Sequence, residues 1–322
     1  MPAPRILLVK LSSLGDVVHL LPAVTDLARA LPDAQIAWAV ETAYAELVRL
    51  HPAVSRAIPV ALRALRDRPL SRSAWRALRA SRAALREHPW DYVVDAQGLL
   101  KSACVSRWAR STIFGLDAAS ARESIAARFY DAKIRVPRGL HAVERNRMLL
   151  ANVFGYSIES PARYGLAAPS QPPAWAPRGR YAVFLHAASR TDKRWPDERW
   201  LALGERMTAD GYALVLPGGS EAERQAALRL ARSLGGRAMA APAMTLADAA
   251  ALLAHAAGVI GVDTGLTHLA VALGTPTVGI YCATSPGLTG LHGEAVANLG
   301  APGASPDVDA VARAAGIGSV PA

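Results

Sequence analysis

Residues 259–268 read Val259-Ile260-Gly261-Val262-Asp263-Thr264-Gly265-Leu266-Thr267-His268. An apolar run of strand length meets Asp-Thr-Gly, and a helical pattern starts at once. A strand that hands over to a helix through a capping pair is the building unit of a doubly wound parallel sheet. The helix start offers N–H groups at Thr264, Gly265 and Leu266 that no helix carbonyl satisfies, a ready seat for a phosphate. His268 falls in the first helical turn and can face the same anion. Each part alone has an ordinary reading, with Asp263 or Thr264 as N-cap and His268 packed locally. The combination is more specific than any one part.

The same rhythm runs outward along the chain. Strands are expected over 5–11, 35–40, 56–60, 91–95, 111–115 and 132–136, then over 181–186, 212–216, 258–262 and 276–280. Helical patterns at 17–31, 141–154, 197–209 and 221–234 lie between them. Pro161, Pro169, Pro172, Pro173 and Pro177 interrupt the pattern near its middle and read as a linker. The expected organisation is α/β throughout: an acceptor-side domain over 1–160, a linker over 161–180 and a second domain over 181–322. A tail helix begins at Ser305-Pro306 and is free to pack back on the first domain. Two such domains leave a cleft, and in each the ligand edge is the carboxyl end of the strands.

With 322 residues, 52% hydrophobic and 19% charged, the chain has core enough for two domains, and extensive disorder is excluded. No stretch reads as a signal peptide or a membrane helix, and a cytoplasmic location is expected. Cys104 and Cys282 are too few and too isolated for a disulfide framework or a zinc site. Of the net charge of +10, all falls in residues 1–170, with 24 basic and 14 acidic residues; the remainder holds 12 of each. The first half should therefore meet something acidic. Arg outnumbers Lys 32 to 4, so part of the Arg content is compositional, but drift alone does not explain the one-sidedness.

Further constellations follow strand ends. Lys10-Leu11-Ser12-Ser13-Leu14-Gly15-Asp16 is a tight turn into a helix whose amides point into the cleft, with Asp16 at its mouth and Ser13 or Asp16 as an ordinary cap. His186 to Pro196 is a loop with several cations, in which Lys193 can neutralise a diphosphate. Asp95-Ala96-Gln97-Gly98-Leu99-Leu100-Lys101 offers Gln97 and Lys101. Glu223, on the helix after Pro217-Gly218-Gly219-Ser220, can accept sugar hydroxyls. From Ser71 onward Arg72, Arg76, Arg79, Arg82 and Arg86 share one broad helical face with Trp75, a pattern suited to an anionic membrane surface or simply to a solvated face. No Walker A, G-x-G-x-x-G, nucleophile elbow or nucleic-acid signature occurs. The only Asp-x-Asp, Asp307-Val308-Asp309, lies in the tail, away from any strand-end loop.

The pieces VKLSSLGDVVHLLPAV, DAQGLLKSA, ARES…FY, HAVERNR, FLHAASRTDKRWP and GVDTGLTHLAVALGTPTVGIY span nearly the whole chain in order. They resemble the ADP-heptose:lipopolysaccharide heptosyltransferases of glycosyltransferase family 9, most closely the type I members. The resemblance implies a GT-B fold and an inverting, metal- and cofactor-independent transfer of L-glycero-D-manno-heptose from ADP-heptose to Kdo-lipid A. It implies Asp16 as general base, with Ser13 and Gly15 shaping its loop on the donor side, and Lys193 assisting the leaving group. Ser189, Lys193, Glu223, Asp263, Thr264, Gly265 and His268 would hold the donor. Lys10, Arg63, Arg66, Gln97, Lys101, Arg122 and Arg145 would meet acceptor phosphates and carboxylates. A monomer attached peripherally to the inner membrane is expected, without nucleic acid. The sequence departs from the family's pattern at Ala188, where relatives often carry a hydroxyl, and at Gly218, where they often carry Trp. Two other readings remain at this point: a related transferase using another nucleotide sugar, and a non-catalytic glycolipid- or nucleotide-binding protein.

Overall fold

The computed structural model describes residues 3–188 and 190–317. The chain forms two compact units, Met1–Ala167 and Ala168–Ala322. In the first unit the order is β1 (Arg5–Val9), α1 (Leu14–Val18), α2 (Leu21–Ala30), β2 (Gln35–Glu41), α3 (Ala45–Arg49), β3 (Val54–Val60), α4 (Leu62–Asp67), α5 (Arg72–Arg86), β4 (Tyr92–Asp95), α6 (Leu100–Ser106), β5 (Ile113–Leu116), β6 (Ala132–Ile134) and α7 (Ala142–Phe154). The second unit follows with β7 (Tyr181–Leu185), α8 (Asp197–Ala209), β8 (Ala213–Leu216), α9 (Glu221–Leu234), β9 (Ala238–Ala240), α10 (Leu246–Ala254), β10 (Gly258–Val262), α11 (Gly265–Ala272), β11 (Thr277–Tyr281), α12 (Pro286–Thr289), β12 (Val296–Gly300) and α13 (Val308–Ala314).

Both sheets are six-stranded, and all their strand pairs are parallel. Their orders are β3-β2-β1-β4-β5-β6 and β12-β11-β10-β7-β8-β9. Counted from each unit's first strand, both follow the doubly wound order 3-2-1-4-5-6. The order reverses between β1 and β4 in one sheet and between β7 and β10 in the other. A ligand crevice opens at such a reversal, outside the carboxyl ends of the strands. The central strands are covered on both faces, which is why they read as unbroken apolar runs: Ile6, Leu7, Leu8 and Val9 are all fully buried.

Several boundaries differ from the sequence reading. The helical pattern over 17–31 is two helices, because the first closes at His19 and Pro22 starts a new one. Strands β9 and β12 had no sequence signal. The stretch expected as linker begins inside the first unit. Arg147 pairs with Asp26 at 2.7 Å and donates to the Ser160 carbonyl at 2.6 Å. Ala167 N donates to Leu50 O at 2.8 Å. Gly165 has φ +68°, and a Cβ there would lie 2.5 Å from Thr25 Oγ1, so only glycine lets the segment lie against α2. The tail helix packs within the second unit. Val311 and Ala312 join its core, Arg206 pairs with Asp309 at 2.6 Å, and Trp195 Nε1 donates to Pro306 O at 2.9 Å. Its cap is Asp307, whose carboxylate accepts from Ala310 N at 2.7 Å, not Ser305-Pro306. No helix among the described residues is long and apolar enough to cross a membrane.

Candidate active site

In the first unit the loops after β1 and β4 meet at the strand-order reversal. Asp16 lies in the first turn of α1, partly exposed, and its Oδ2 accepts from Ser13 N at 2.8 Å and Ser13 Oγ at 3.1 Å. The carboxylate therefore does cap its helix, but this engages one oxygen. Arg122 approaches the same Oδ2 at 3.6 Å from the loop after β5. Gly15 sits within α1 without a positive φ, so the turn is made by residues 10–13 and not by a glycine in a special conformation.

Gln97 is buried, and both ends of its amide are used on the neighbouring loop. Oε1 accepts from Leu11 N and Nε2 donates to Ser12 O, each at 2.7 Å. Its own N–H donates to Asp95 Oδ1 at 2.8 Å. Asp95 is fully buried and also accepts from Gly98 N at 3.2 Å and Tyr130 OH at 2.8 Å. Burial raises the Asp95 carboxyl above its ordinary value, against the pull of these bonds. The expected acceptor contact at Gln97 thus becomes a brace for the loop that carries Asp16. Lys10 is likewise not at the surface. Its Nζ donates to Ala96 O at 2.7 Å and Asn146 Oδ1 at 3.1 Å, and burial brings its pKa down to about 8 although Asp16 and Asp95 oppose this.

Cations gather around this brace. Lys101 Nζ donates to Ser12 Oγ at 2.8 Å. Arg145 donates to Ser120 O at 2.6 Å, while its buried Nε has no partner. Burial, then the charges of Arg138 and Arg122, lower the Arg145 pKa from its usual value. Arg63 N donates to Glu41 Oε1 at 3.1 Å, and its guanidinium lies 5.0 Å from the Tyr44 ring centroid. Arg66 is exposed and paired with Asp67 at 2.8 Å. Sequence reasoning missed Glu41, at the carboxyl end of β2. It is buried, and burial raises its carboxyl despite Arg63, Lys101 and Arg66 nearby.

The second unit gathers its groups at its own reversal, after β7 and β10. Lys193 Nζ donates to Asp263 Oδ2 at 2.7 Å. Thr284 Oγ1, from the loop after β11, donates to the same oxygen at 2.7 Å, and His268 Nε2 stands 3.5 Å from Oδ1. Burial alone would raise Asp263, but the bonds from His268, Lys193 and Thr284 outweigh it and hold the carboxyl well below the usual range. Thr264 is the N-cap of α11, yet its side chain leaves the helix amides alone and meets Thr267 Oγ1 at 3.1 Å. The amides of Gly265 and Leu266 precede the first helix bond of α11, Thr267 N to Thr264 O at 3.1 Å, and sit where a helix start receives an anion. Ser189 lies outside the described residues. Glu223 closes a capping box, with Oε2 accepting from Gly219 N and Ser220 N, both at 2.9 Å, so Oε1 is the oxygen left for a hydroxyl. A Cβ at Gly218 would lie 2.5 Å from Arg224 N, so the loop lies too close to α9 for a Trp at that position. Ala188 packs into the core, and its carbonyl accepts from Arg194 at 3.4 Å. Thr284 was also missed; a threonine between Ala283 and Ser285 carries no pattern of its own.

The pattern of glycosyltransferase family 9 (heptosyltransferase) matches residues 78–316. Lipopolysaccharide heptosyltransferase 1 of Pseudomonas aeruginosa is 46% identical over 301 residues, covering 92% of this chain and 83% of that protein. The solved structure of the E. coli heptosyltransferase WaaC with ADP superposes with a TM-score of 0.89 at 40% identity, covering 96% of this chain and 98% of that one. WaaC with ADP-2-deoxy-2-fluoro heptose gives 0.86 at 39% identity, with the same coverage.

Proposed function

The chain belongs to glycosyltransferase family 9, the heptosyltransferases, and from that premise we propose that it transfers L-glycero-D-manno-heptose from ADP-heptose to Kdo of Kdo-lipid A in lipopolysaccharide core assembly. The observation that carries this reading is the Lys193–Asp263–His268–Thr284 cluster beside the first amides of α11, in a chain 40% identical to a heptosyltransferase solved with ADP.

Asp16 takes the proton from the acceptor hydroxyl. The freed oxygen attacks the anomeric carbon from the face opposite the diphosphate, the bond to the diphosphate oxygen breaks, and ADP leaves with the configuration inverted. Lys193 and the first amides of α11 meet the charge that develops on the leaving phosphate. Lys193 Nζ donates to Asp263, the residue before the Thr264 N-cap of α11, which sets the ammonium beside the helix start. His268 and Thr284 keep Asp263 ionised. Arg63, Lys101, Arg122 and Arg145 receive the acceptor's anionic groups, and the unsatisfied Arg145 Nε supports that assignment. Glu223 Oε1 is the hydroxyl acceptor on the nucleotide side.

The enzyme works as a single chain on the cytoplasmic face of the inner membrane. The +10 charge of the first half and the Arg face of α5 support peripheral attachment there. A donor–acceptor panel read by product mass and anomeric configuration tests the whole reading. One added heptose with inverted configuration is expected. No transfer from ADP-heptose, or retention, refutes it.

A further inference from the structure

Six large apolar side chains stand exposed among the described residues, and four belong to the first unit: Leu70, Trp75, Leu100 and Ile125. Exposed apolar residues scattered singly are ordinary. These four fall in two pairs on connections of one kind. Leu70 and Trp75 follow β3, Leu100 follows β4 and Ile125 follows β5, so all lie on connections that leave the carboxyl edge of one parallel sheet. Leu100 N donates to Glu123 Oε2 at 2.7 Å and Glu123 N to Gly98 O at 3.0 Å, which joins the loops bearing Leu100 and Ile125. Trp75 Nε1 donates to Pro69 O at 2.9 Å and holds the indole against the turn that carries Leu70. Each has cations close in sequence: Arg68 and Arg72 flank Leu70, Arg76 follows Trp75, Lys101 follows Leu100, and Arg122 lies three residues before Ile125. The Asp16 loop opens at this same edge, touched by Lys101 and Arg122.

We infer that this edge of the first unit lies on an anionic lipid surface, with Leu70, Trp75, Leu100 and Ile125 entering the apolar boundary and the neighbouring cations meeting headgroups. The inference rests on the glycolipid-acceptor reading and adds an orientation and an apolar anchor to it. Apolar side chains ringed by Lys and Arg are the composition that a lipid interface holds. Charge complementarity favours an anionic surface, because residues 1–170 carry 24 basic against 14 acidic residues. Laid this way, the edge brings Asp16 to an acceptor sugar that never leaves the membrane.

Flotation of the full chain with phosphatidylglycerol–phosphatidylethanolamine vesicles, at 0.1 M and 1 M salt, tests this. Screening shortens electrostatic reach from about 10 Å to about 3 Å between those salts, whereas apolar insertion persists. Leu100→Ser with Ile125→Ser should lower the bound fraction about threefold at both salts. Leu70→Ser with Trp75→Ser, on a separate element, should do the same. Arg72→Gln with Arg76→Gln and Arg79→Gln should lower it chiefly at 0.1 M. In turnover, each apolar pair should raise KM for the acylated acceptor in vesicles and leave KM for its deacylated sugar unchanged. Wild-type flotation by both apolar pairs, or equal KM rises on both acceptor forms, overturns the inference. Absence of wild-type transfer to either acceptor form counts instead against the transferase reading, and flotation still decides the surface.

Discussion

Replacing Gln97 by methionine removes both bonds that brace the Asp16 loop. Leu11 N and Ser12 O, each 2.7 Å from the amide, would lose their partner at a buried position. Each unsatisfied group costs about 1–3 kcal/mol, so the pair costs roughly 2–6 kcal/mol, with little cavity cost because methionine is of similar volume. In a unit the size of Met1–Ala167 that lowers Tm by roughly 5–20 °C. Gln97→Glu separates the two bonds. The introduced carboxylate still accepts from Leu11 N but repels Ser12 O; once protonated, it donates to Ser12 O and restores the brace. Burial puts its folded pKa above the unfolded value of about 4.3. Between those pKa values the folded state binds more protons, so stability falls as pH rises there. The deficit relative to wild type is therefore complete above the folded pKa and shrinks as pH drops through it. Displacing the base loop by about 1 Å can reduce turnover by about 10²-fold. ADP affinity should stay unchanged, because Lys193 and α11 belong to the other unit. Denaturant melts from pH 5 to pH 8, single-turnover rates and ADP titration calorimetry measure all three. Wild-type midpoint and turnover in Gln97→Met, or a Gln97→Glu deficit that grows toward pH 5, would refute the brace.

Asp16→Asn and Asp16→Ala should each reduce turnover by about 10²–10⁴ with ADP affinity nearly intact; near-normal turnover would leave Asp16 a helix cap only. Lys193→Ala and His268→Ala should both weaken ADP binding by calorimetry, and unchanged affinity in both would remove them from the diphosphate site. Lys10 has a folded pKa near 8 against 10.5 unfolded, so the unfolded state binds more protons between those values. Stability should then rise with pH above about 8, by at most about 1.4 kcal/mol per pH unit, and Lys10→Met should flatten that slope in melts from pH 8 to pH 9.5. Transfer should survive EDTA, since Lys193 and the α11 amides supply the positive charge; loss that Mg²⁺ restores would show otherwise.

The sheets were legible in the sequence because the buried stretches of parallel strands are apolar residue after residue, as over 6–9 of β1 and in Gly258–Val262. Strands β9 and β12 were not. One is three residues of Ala-Met-Ala, and the other carries Asn298; both are edge strands, which need less burial. The strand-end loops were legible for the same topological reason. What each polar residue does within them was not. Nothing in the order of residues distinguishes Gln97 and Lys10, turned inward onto backbone carbonyls and amides, from Lys101 and Arg122, turned outward. That depends on which loop lies beneath which, and in this fold the neighbours are more than 80 residues apart.

That separation also sets the order of events on the ribosome. Strand β1 is made before its partner β4, which pairs Val94 with Leu8, 86 residues later. At about 5–20 residues per second, the intervening chain takes roughly 4–17 s to synthesise. Through that interval Ile6, Leu7, Leu8 and Val9 offer an unpaired apolar edge on the β4 side. A stall in synthesis between residues 40 and 95 would prolong the exposure of that apolar edge, an aggregation hazard of late-pairing strands.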